Sequence, residues 1–455
     1  MSLPGARMAA AVEHRDSPEL RPILTNKLRH PWQPKTKRLN GSHTANRFER
    51  YTHCMKFSSL TTRIQEKSAA TGGESIDPWA VHTMALKRVN DGQSITMLSI
   101  GQEVNETTPD IVVDIAVDSL RAGRHHYADV RGEEKLRQAI ATYHERLTGQ
   151  KVNASMVTVF AGAQNALYSL AQVLLEPDDE VILVAPYYTT YQATFGAPGP
   201  TVVTVKVNTD NHYRLDEQKL LSAITPNTRA IVLNAPNNPL GSRYSKVQLK
   251  QIVQACLNGQ IWLILDSVYL DIVDPESIDL PHDIPDVDDI LITVGSLSKS
   301  HRMTGWRIGW AIGPEPLSEH MYNLSVCMHY GLPPFIQDAA IAALEKSSTT
   351  PKVVRDVMNN RRQIALEHLH NPAPARLIDP GQGMFILIDV QTLGVTAYDF
   401  AVGLLDARHV SVLPCDGFGP GGRYLVRIGL CVDGDELASA CRGIKEFIGS
   451  YDLPE

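Results

Sequence analysis

Aromatic residues make up only 6% of this 455-residue chain, and its six cysteines form no C-x-x-C pair. Cys54, Cys256, Cys327, Cys415, Cys431 and Cys441 show no metal-ligand spacing, which excludes a zinc ribbon. Reduced thiols in a cytoplasmic protein are the expected state. No apolar run reaches membrane-spanning length. No secretory signal is visible, because the short apolar stretch Met8 to Val12 gives way at once to Glu13, Arg15 and Asp16. Positive charge is not in excess. The net charge is −7, so no overall field attracts nucleic acid. His125 and His126 are adjacent but lack a further ligand at suitable spacing, so no metal site is expected. What is present is 43% apolar and 20% charged residues, the balance of an ordinary globular protein, in a chain long enough for more than one domain.

The first 54 residues differ from the rest. From Arg21 to Arg50 there are eight Lys or Arg and one acid, Glu49, with frequent prolines and no sustained period. Residues 1–54 are therefore expected to form a flexible basic tail. A targeting segment, a basic partner-binding arm, or translated sequence upstream of a start at Met55 are the open alternatives.

From Met97 onward, apolar runs of strand length alternate with segments of helical period. Glu133 to Leu147 places Leu136, Ile140, Tyr143 and Leu147 on one face and predicts an amphipathic helix. Val157 to Phe160, Glu180 to Val184, Arg229 to Leu233, Ile261 to Leu265 and Ile290 to Val294 read as strands, with a helix over Ala163 to Leu175. Near-continuous apolar strands alternating with helices imply an α/β fold, a mostly parallel sheet between helices. The unusual residues fall just beyond the carboxyl ends of these strands: Gly162, Tyr188, Asn238, Asp266 and Lys299. In open α/β sheets that edge binds ligands.

The chemistry is densest between Ser296 and Trp310. Lys299 follows an apolar run and is flanked by Ser296, Ser298 and Ser300, and Arg307 comes eight residues later beside glycines. This suits a lysine that holds an aldehyde while its neighbours hold a phosphate. An aldehyde forms a Schiff base with a deprotonated amine, and a phosphate dianion needs hydroxyls, backbone N–H groups and a guanidinium. Pyridoxal phosphate (PLP) carries both groups. Gly162-Ala163-Gln164 closes a strand and opens a helix, where free N–H groups and the helix dipole favour a phosphate.

These segments resemble the fold-type I PLP enzymes of the class I/II aminotransferase family, from about Met55 to the C-terminus. The resemblance implies a large PLP-binding domain over 101–325, a smaller α/β domain over 326–455 and an N-terminal segment, 55–100, joining the small domain. It implies roles for particular residues. Lys299 is the catalytic, cofactor-binding lysine. Ala163, Gln164, Ser296, Ser298 and Arg307 hold the phosphate. Tyr188 stacks on the pyridine ring, with Tyr187 or Tyr191 as alternatives. Asp266 pairs with the ring nitrogen, and Tyr269 and Asn238 bond the ring 3-oxygen. Arg427, in Tyr424 to Leu430, holds the substrate α-carboxylate, and backbone approaches the substrate at Gly101. Tyr127, in His125 to Gly132, reaches the phosphate of a neighbouring subunit, which implies a homodimer with shared sites. Ser267 and the segment Gln102 to Asn105 depart from the family pattern.

Within the family, His126 to Gly132, Ser296 to Trp310, Phe335 to Ala340 and Gly381 to Ile386 are most similar to the branch that moves the amino group of arginine to pyruvate. A guanidinium would then need a carboxylate, and Asp129 from the neighbouring subunit, Glu103 or Glu106 are the candidates. The expected reaction is ping-pong transamination of an L-amino acid with a 2-oxo acid, Lys299 serving as general base. Other amino-acid donors (aspartate, aromatic, kynurenine), a PLP-dependent lyase and an aminotransferase-like regulator remain open. The regulator would need an N-terminal helix-turn-helix, which the short, proline-broken first 54 residues do not resemble.

Overall fold

The computed structural model describes residues 58–69, 77, 79–103, 106–207 and 213–451. The expected tail, Met55, Val104 and Asn105 lie outside the described residues. The central element is a seven-stranded sheet: β1 (Val157–Phe160), β2 (Glu180–Ala185), β3 (Thr201–Lys206), β4 (Thr228–Asn234), β5 (Trp262–Asp266), β6 (Leu291–Ser296) and β7 (Gly309–Ile312), in the spatial order β1-β7-β6-β5-β4-β2-β3.

Strands β2 to β6 pair in parallel. The period of two explains how a nearly continuous apolar run is buried on both sides. Ile182, Ile231, Leu233, Leu263 and Leu265 join one apolar cluster, covered by Leu249, Ile252 and Val253 of helix Lys246–Gly259. Val181, Leu183, Val232, Ile264 and Ile292 join the other, covered by Leu167 and Leu170 of helix Ala163–Leu174.

Two strands of this sheet escape the sequence reading. Thr201–Lys206 is a half-exposed edge strand, too weakly patterned to stand out. Gly309–Ile312 is antiparallel to both β6 and β1, so the β1–β7–β6 end of the sheet is not parallel throughout. Because two reversals cancel, β1 still runs in the direction of β6, and its carboxyl end lies on the same edge as the others.

A second, antiparallel sheet combines β8 (Arg376–Ile378), β9 (Phe385–Asp389), β10 (Leu413–Pro414) and β11 (Leu425–Gly429) in the order β10-β11-β9-β8. One face packs on helices Thr350–His368, Ala397–Arg408 and Gly434–Gly449 through Val426, Ile428, Phe400 and Ile444. Val81, Ala85 and Leu98 belong to the same cluster, and Thr96–Met97 pairs in parallel with Val410–Ser411. Helix Pro334–Lys346 instead packs beside the large sheet, with Ala339 and Ala340 in the cluster of Val157 and Trp310. Register decides where Arg427 goes. It sits between Leu387 and Leu413, whose side chains belong to the large sheet's cluster, so Arg427 faces the large sheet. Among the described residues no helix is long and apolar enough to cross a membrane.

Candidate active site

A cavity of about 370 Å³ lies outside the carboxyl ends of the large sheet. Ala163, Gln164, Tyr188, Asn238, Asp266, Tyr269, Ser296, Ser298, Lys299, Arg307, Arg427 and Gly101 all line it. Residues separated by up to 326 positions therefore meet in one place, each delivered by a strand end or by the β11 register.

Lys299 is half-buried, and its Nζ donates to the Gly101 carbonyl oxygen at 2.7 Å. Desolvation lowers its amine to about 8. Arg427 and Arg307 push the same way more weakly, against an opposing contribution from Cys431. Gly101 is fixed by space: a Cβ there would stand 2.6 Å from Cζ of Phe385.

Asp266, at the tip of β5, is buried and lines the cavity. It accepts from the Tyr191 hydroxyl and, at 3.3 Å, from the Val268 N–H. No basic side chain pairs with it among the described residues. Desolvation raises its carboxyl to about 6 against these two hydrogen bonds. A carboxylate this deep needs a cation.

Asn238 is held from three sides. Its N–H donates to Asn234 Oδ1 at 2.7 Å, its Nδ2 to the Tyr269 hydroxyl at 3.1 Å, and its Oδ1 accepts from Arg427 Nη1 at 2.8 Å. The Arg427 guanidinium also donates through Nη2 to the Ser99 carbonyl at 2.9 Å and lies over the Phe385 ring, 4.1 Å from its centroid. It is 2% exposed, and its Nε has no protein partner.

The opposite end of the cavity is built for an anion. Gly162 (φ +86°) precedes helix Ala163–Leu174, and a Cβ there would fall 2.3 Å from Arg307 Nη2. Only glycine lets this helix start approach the guanidinium. Arg307 Nη1 donates to the Thr304 carbonyl at 2.8 Å and Nη2 to that of Ala161 at 3.3 Å. The Ser296 hydroxyl donates to the Ile308 carbonyl at 2.9 Å and accepts from the Ser298 N–H at 3.0 Å. The Gln164 side chain is tied to Thr194 and Thr190, both at 2.7 Å.

Two expected residues stand apart. Tyr127 is 87% exposed, with its ring against Tyr330, and lines no part of this cavity. Asp129, in the same loop, lies 3.8 Å from Arg137 and accepts from the Arg131 N–H at 2.9 Å. Glu103 is paired with Arg361 at 2.5 Å, and Glu106 with Arg302 at 3.3 Å. Tyr188 lines the cavity edge-on to Tyr191, whereas Tyr191 spends its hydroxyl on Asp266, and Tyr187 is buried with its hydroxyl on Gln192 at 3.2 Å. Sequence reasoning missed Trp79, Thr304 and Phe385 as lining residues. Thr304 and Phe385 lie in segments already singled out, Ser296 to Trp310 and Gly381 to Ile386, whereas Trp79 carried no signal.

A buried carboxylate without a cation, a lowered lysine amine and a glycine–arginine anion cradle suit one group that carries a pyridine nitrogen, an aldehyde and a phosphate. The residues present fit PLP, and fold and site together are those of a PLP-dependent transferase. The family profile of aminotransferase class I and II matches residues 94–444, and the chain belongs to that family. It is 43% identical over 391 residues to the arginine–pyruvate transaminase AruH of Pseudomonas aeruginosa, covering 86% of this chain and 97% of that one. It is 31% identical to an aspartate aminotransferase of Bacillus subtilis, covering 79% and 93%. The solved aspartate aminotransferase of Thermus thermophilus with maleate matches with a TM-score of 0.76 at 27% identity, covering 88% of this chain and 98% of that one. The protein is a PLP-dependent transaminase.

Proposed function

We propose that this transaminase moves the α-amino group of L-arginine to pyruvate. The observation that carries the reading is the 43% identity, nearly end to end, to an arginine–pyruvate transaminase, against 31% for an aspartate aminotransferase. The cavity wall agrees. Apart from Arg427, Arg307 and Lys299 it carries no basic side chain among the described residues, so this wall offers no further cation to the second carboxylate of an acidic substrate.

PLP, when bound, supplies the electron sink for charge developing at the substrate Cα. The chain supplies the rest. Arg427 grips the α-carboxylate, its planar fork backed by Asn238 and Ser99. Asp266 offers its buried negative charge toward the pyridine nitrogen, with Tyr191 holding it in place. Asn238 and Tyr269 form a joined donor pair for the ring 3-oxygen. Ser298, Arg307 and the helix start at Ala163 and Gln164 receive the phosphate. Lys299, its amine lowered to about 8, keeps far more neutral base at neutral pH than an ordinary lysine and moves the Cα proton.

The second chain of a homodimer completes the site in this reading: the exposed Tyr127 ring reaches the neighbouring phosphate, and Asp129 faces the neighbouring substrate. The large domain spans 101–346, including helix Pro334–Lys346 against the large sheet, rather than ending at 325, and the small domain joins 347–451 with 79–100. The five described cysteines are free, which supports a cytoplasmic location. A stoichiometric assay tests the reaction class. With L-arginine and no acceptor, one 2-oxo acid should form per site and turnover should stop. Continuing release of ammonia would identify a lyase instead.

A further inference from the structure

One wall of the cavity has no role in the account above. Trp79 lines it together with Lys299 and Arg427, at the start of helix Ala80–Asn90. We infer that the face of the Trp79 indole is the seat of the substrate's cationic side-chain end, a specificity determinant for a guanidinium. The inference rests on the reading of L-arginine as donor.

Charge comes first. Among the described residues the cavity wall carries one carboxylate, Asp266, which is buried and bonded to Tyr191. Glu103 and Glu106 are committed to arginines of their own chain. The Glu103–Arg361 pair is deeply buried, with side chains 6% and 9% exposed, so drawing Glu103 away would strand a buried guanidinium. Attraction for a substrate cation on this chain's own wall therefore falls to neutral groups. The strongest of these is an aromatic face.

Elimination among the aromatic rings follows. The wall has four: Trp79, Tyr188, Tyr269 and Phe385. Tyr269 is joined to Asn238, and the face of Phe385 is already occupied by the Arg427 guanidinium. Tyr188 is assigned to the cofactor ring. Trp79 remains, and tryptophan is the best partner for a planar guanidinium.

Trp79 packs against the apolar cluster of Leu413 and Phe418, and its ring meets His82 edge-on at 5.8 Å. The His82 Nδ1 and the Ser99 hydroxyl are 2.8 Å apart, and the Ser99 carbonyl accepts from Arg427 Nη2. The indole is thereby tied through two residues to the group that anchors the α-carboxylate. A substrate with its carboxylate on Arg427 and its amine at Lys299 sends its side chain along the remaining wall, where Trp79 stands.

The test compares L-arginine with L-citrulline, which keeps the length and planarity of the end group and removes its charge. The PLP-loaded wild type, Trp79→Leu and Trp79→Phe are assayed with both donors. Trp79→Leu is expected to reduce the arginine-over-citrulline preference in kcat/KM on the order of ten-fold, mainly through KM. Trp79→Phe, with a smaller face, is expected to fall between. A preference unchanged in both variants, with the two donors falling alike or not at all, would overturn the inference. Failure of the donor reading shows separately, as a wild type that does not transaminate L-arginine.

Discussion

Replacing Asp266 by Asn separates the cost of burying a carboxylate from the benefit of holding a cofactor. Enclosure raises the Asp266 carboxyl from 3.8 to about 6. In the protein without PLP the folded state thus binds this proton more tightly than the unfolded chain does. Stability is lost as pH rises from 3.8 through 6, and the whole penalty is present above 6. A rise of that size corresponds to about 3 kcal/mol, and at 5% exposure little solvent screening discounts it. Asp266→Asn removes the charge and keeps an acceptor for the Tyr191 hydroxyl. Urea unfolding of the two apoproteins should therefore find the Asn variant more stable at pH 7.5, by up to about 3 kcal/mol, with the gap closing as pH falls through 6 toward 4. With PLP added the order should reverse, the parent gaining more stability and retaining turnover that the variant lacks. An Asn apoprotein no more stable than its parent at pH 7.5 would refute the reasoning, because it would mean that the carboxylate already has a cationic partner.

Three further outcomes are expected. Gly162→Ala places a Cβ against Arg307 at a φ of +86°. The strain of about 1–3 kcal/mol should weaken PLP affinity roughly 10- to 100-fold in equilibrium dialysis, and unchanged affinity would contradict the cradle. The neutral fraction of the Lys299 amine rises through about 8, so PLP uptake by the apoprotein, followed by absorbance, should accelerate up to that pH and then level. Acceleration continuing toward pH 10 would contradict a lowered amine. Arg427→Lys loses the planar fork and leaves Asn238 or Ser99 short of a donor, so KM for amino and oxo acids should rise about 10- to 100-fold, whereas an unchanged KM would remove Arg427 from carboxylate binding.

Much of the large sheet was legible because its strands are nearly continuous apolar runs, and because a buried Asp, Asn or Lys at such a strand's end has no purely structural reason to be there. The edge strand Thr201–Lys206 was not, since one exposed side dilutes its pattern. The antiparallel Gly309–Ile312 was hidden because four residues inside a segment rich in chemistry carry no directional signal. Within the site, local motifs placed Asp266, Asn238 and Lys299, but pairings made across the fold left no trace in the chain. Nothing near Tyr191 announces that its hydroxyl serves Asp266, 75 residues away. Trp79 stands outside every motif, and only the packing of Ala80–Asn90 in the cluster of Val426 and Ile428 brings it to the cavity that Arg427 also lines. Tyr127 and Asp129 were readable as motif residues, yet on this chain neither lines the cavity, and the shared site proposed for them would need a second chain.

The most direct test of the account follows the nitrogen. L-Arginine labelled with 15N at the α-amino group is incubated with the PLP-loaded protein and pyruvate, and alanine is collected at early times for mass spectrometry. The account predicts alanine carrying the label in step with the loss of arginine, and parallel double-reciprocal lines when the two substrates are varied. Arginine consumed with its label appearing as ammonia, or no labelled alanine while another amino acid supplies the nitrogen, would contradict it.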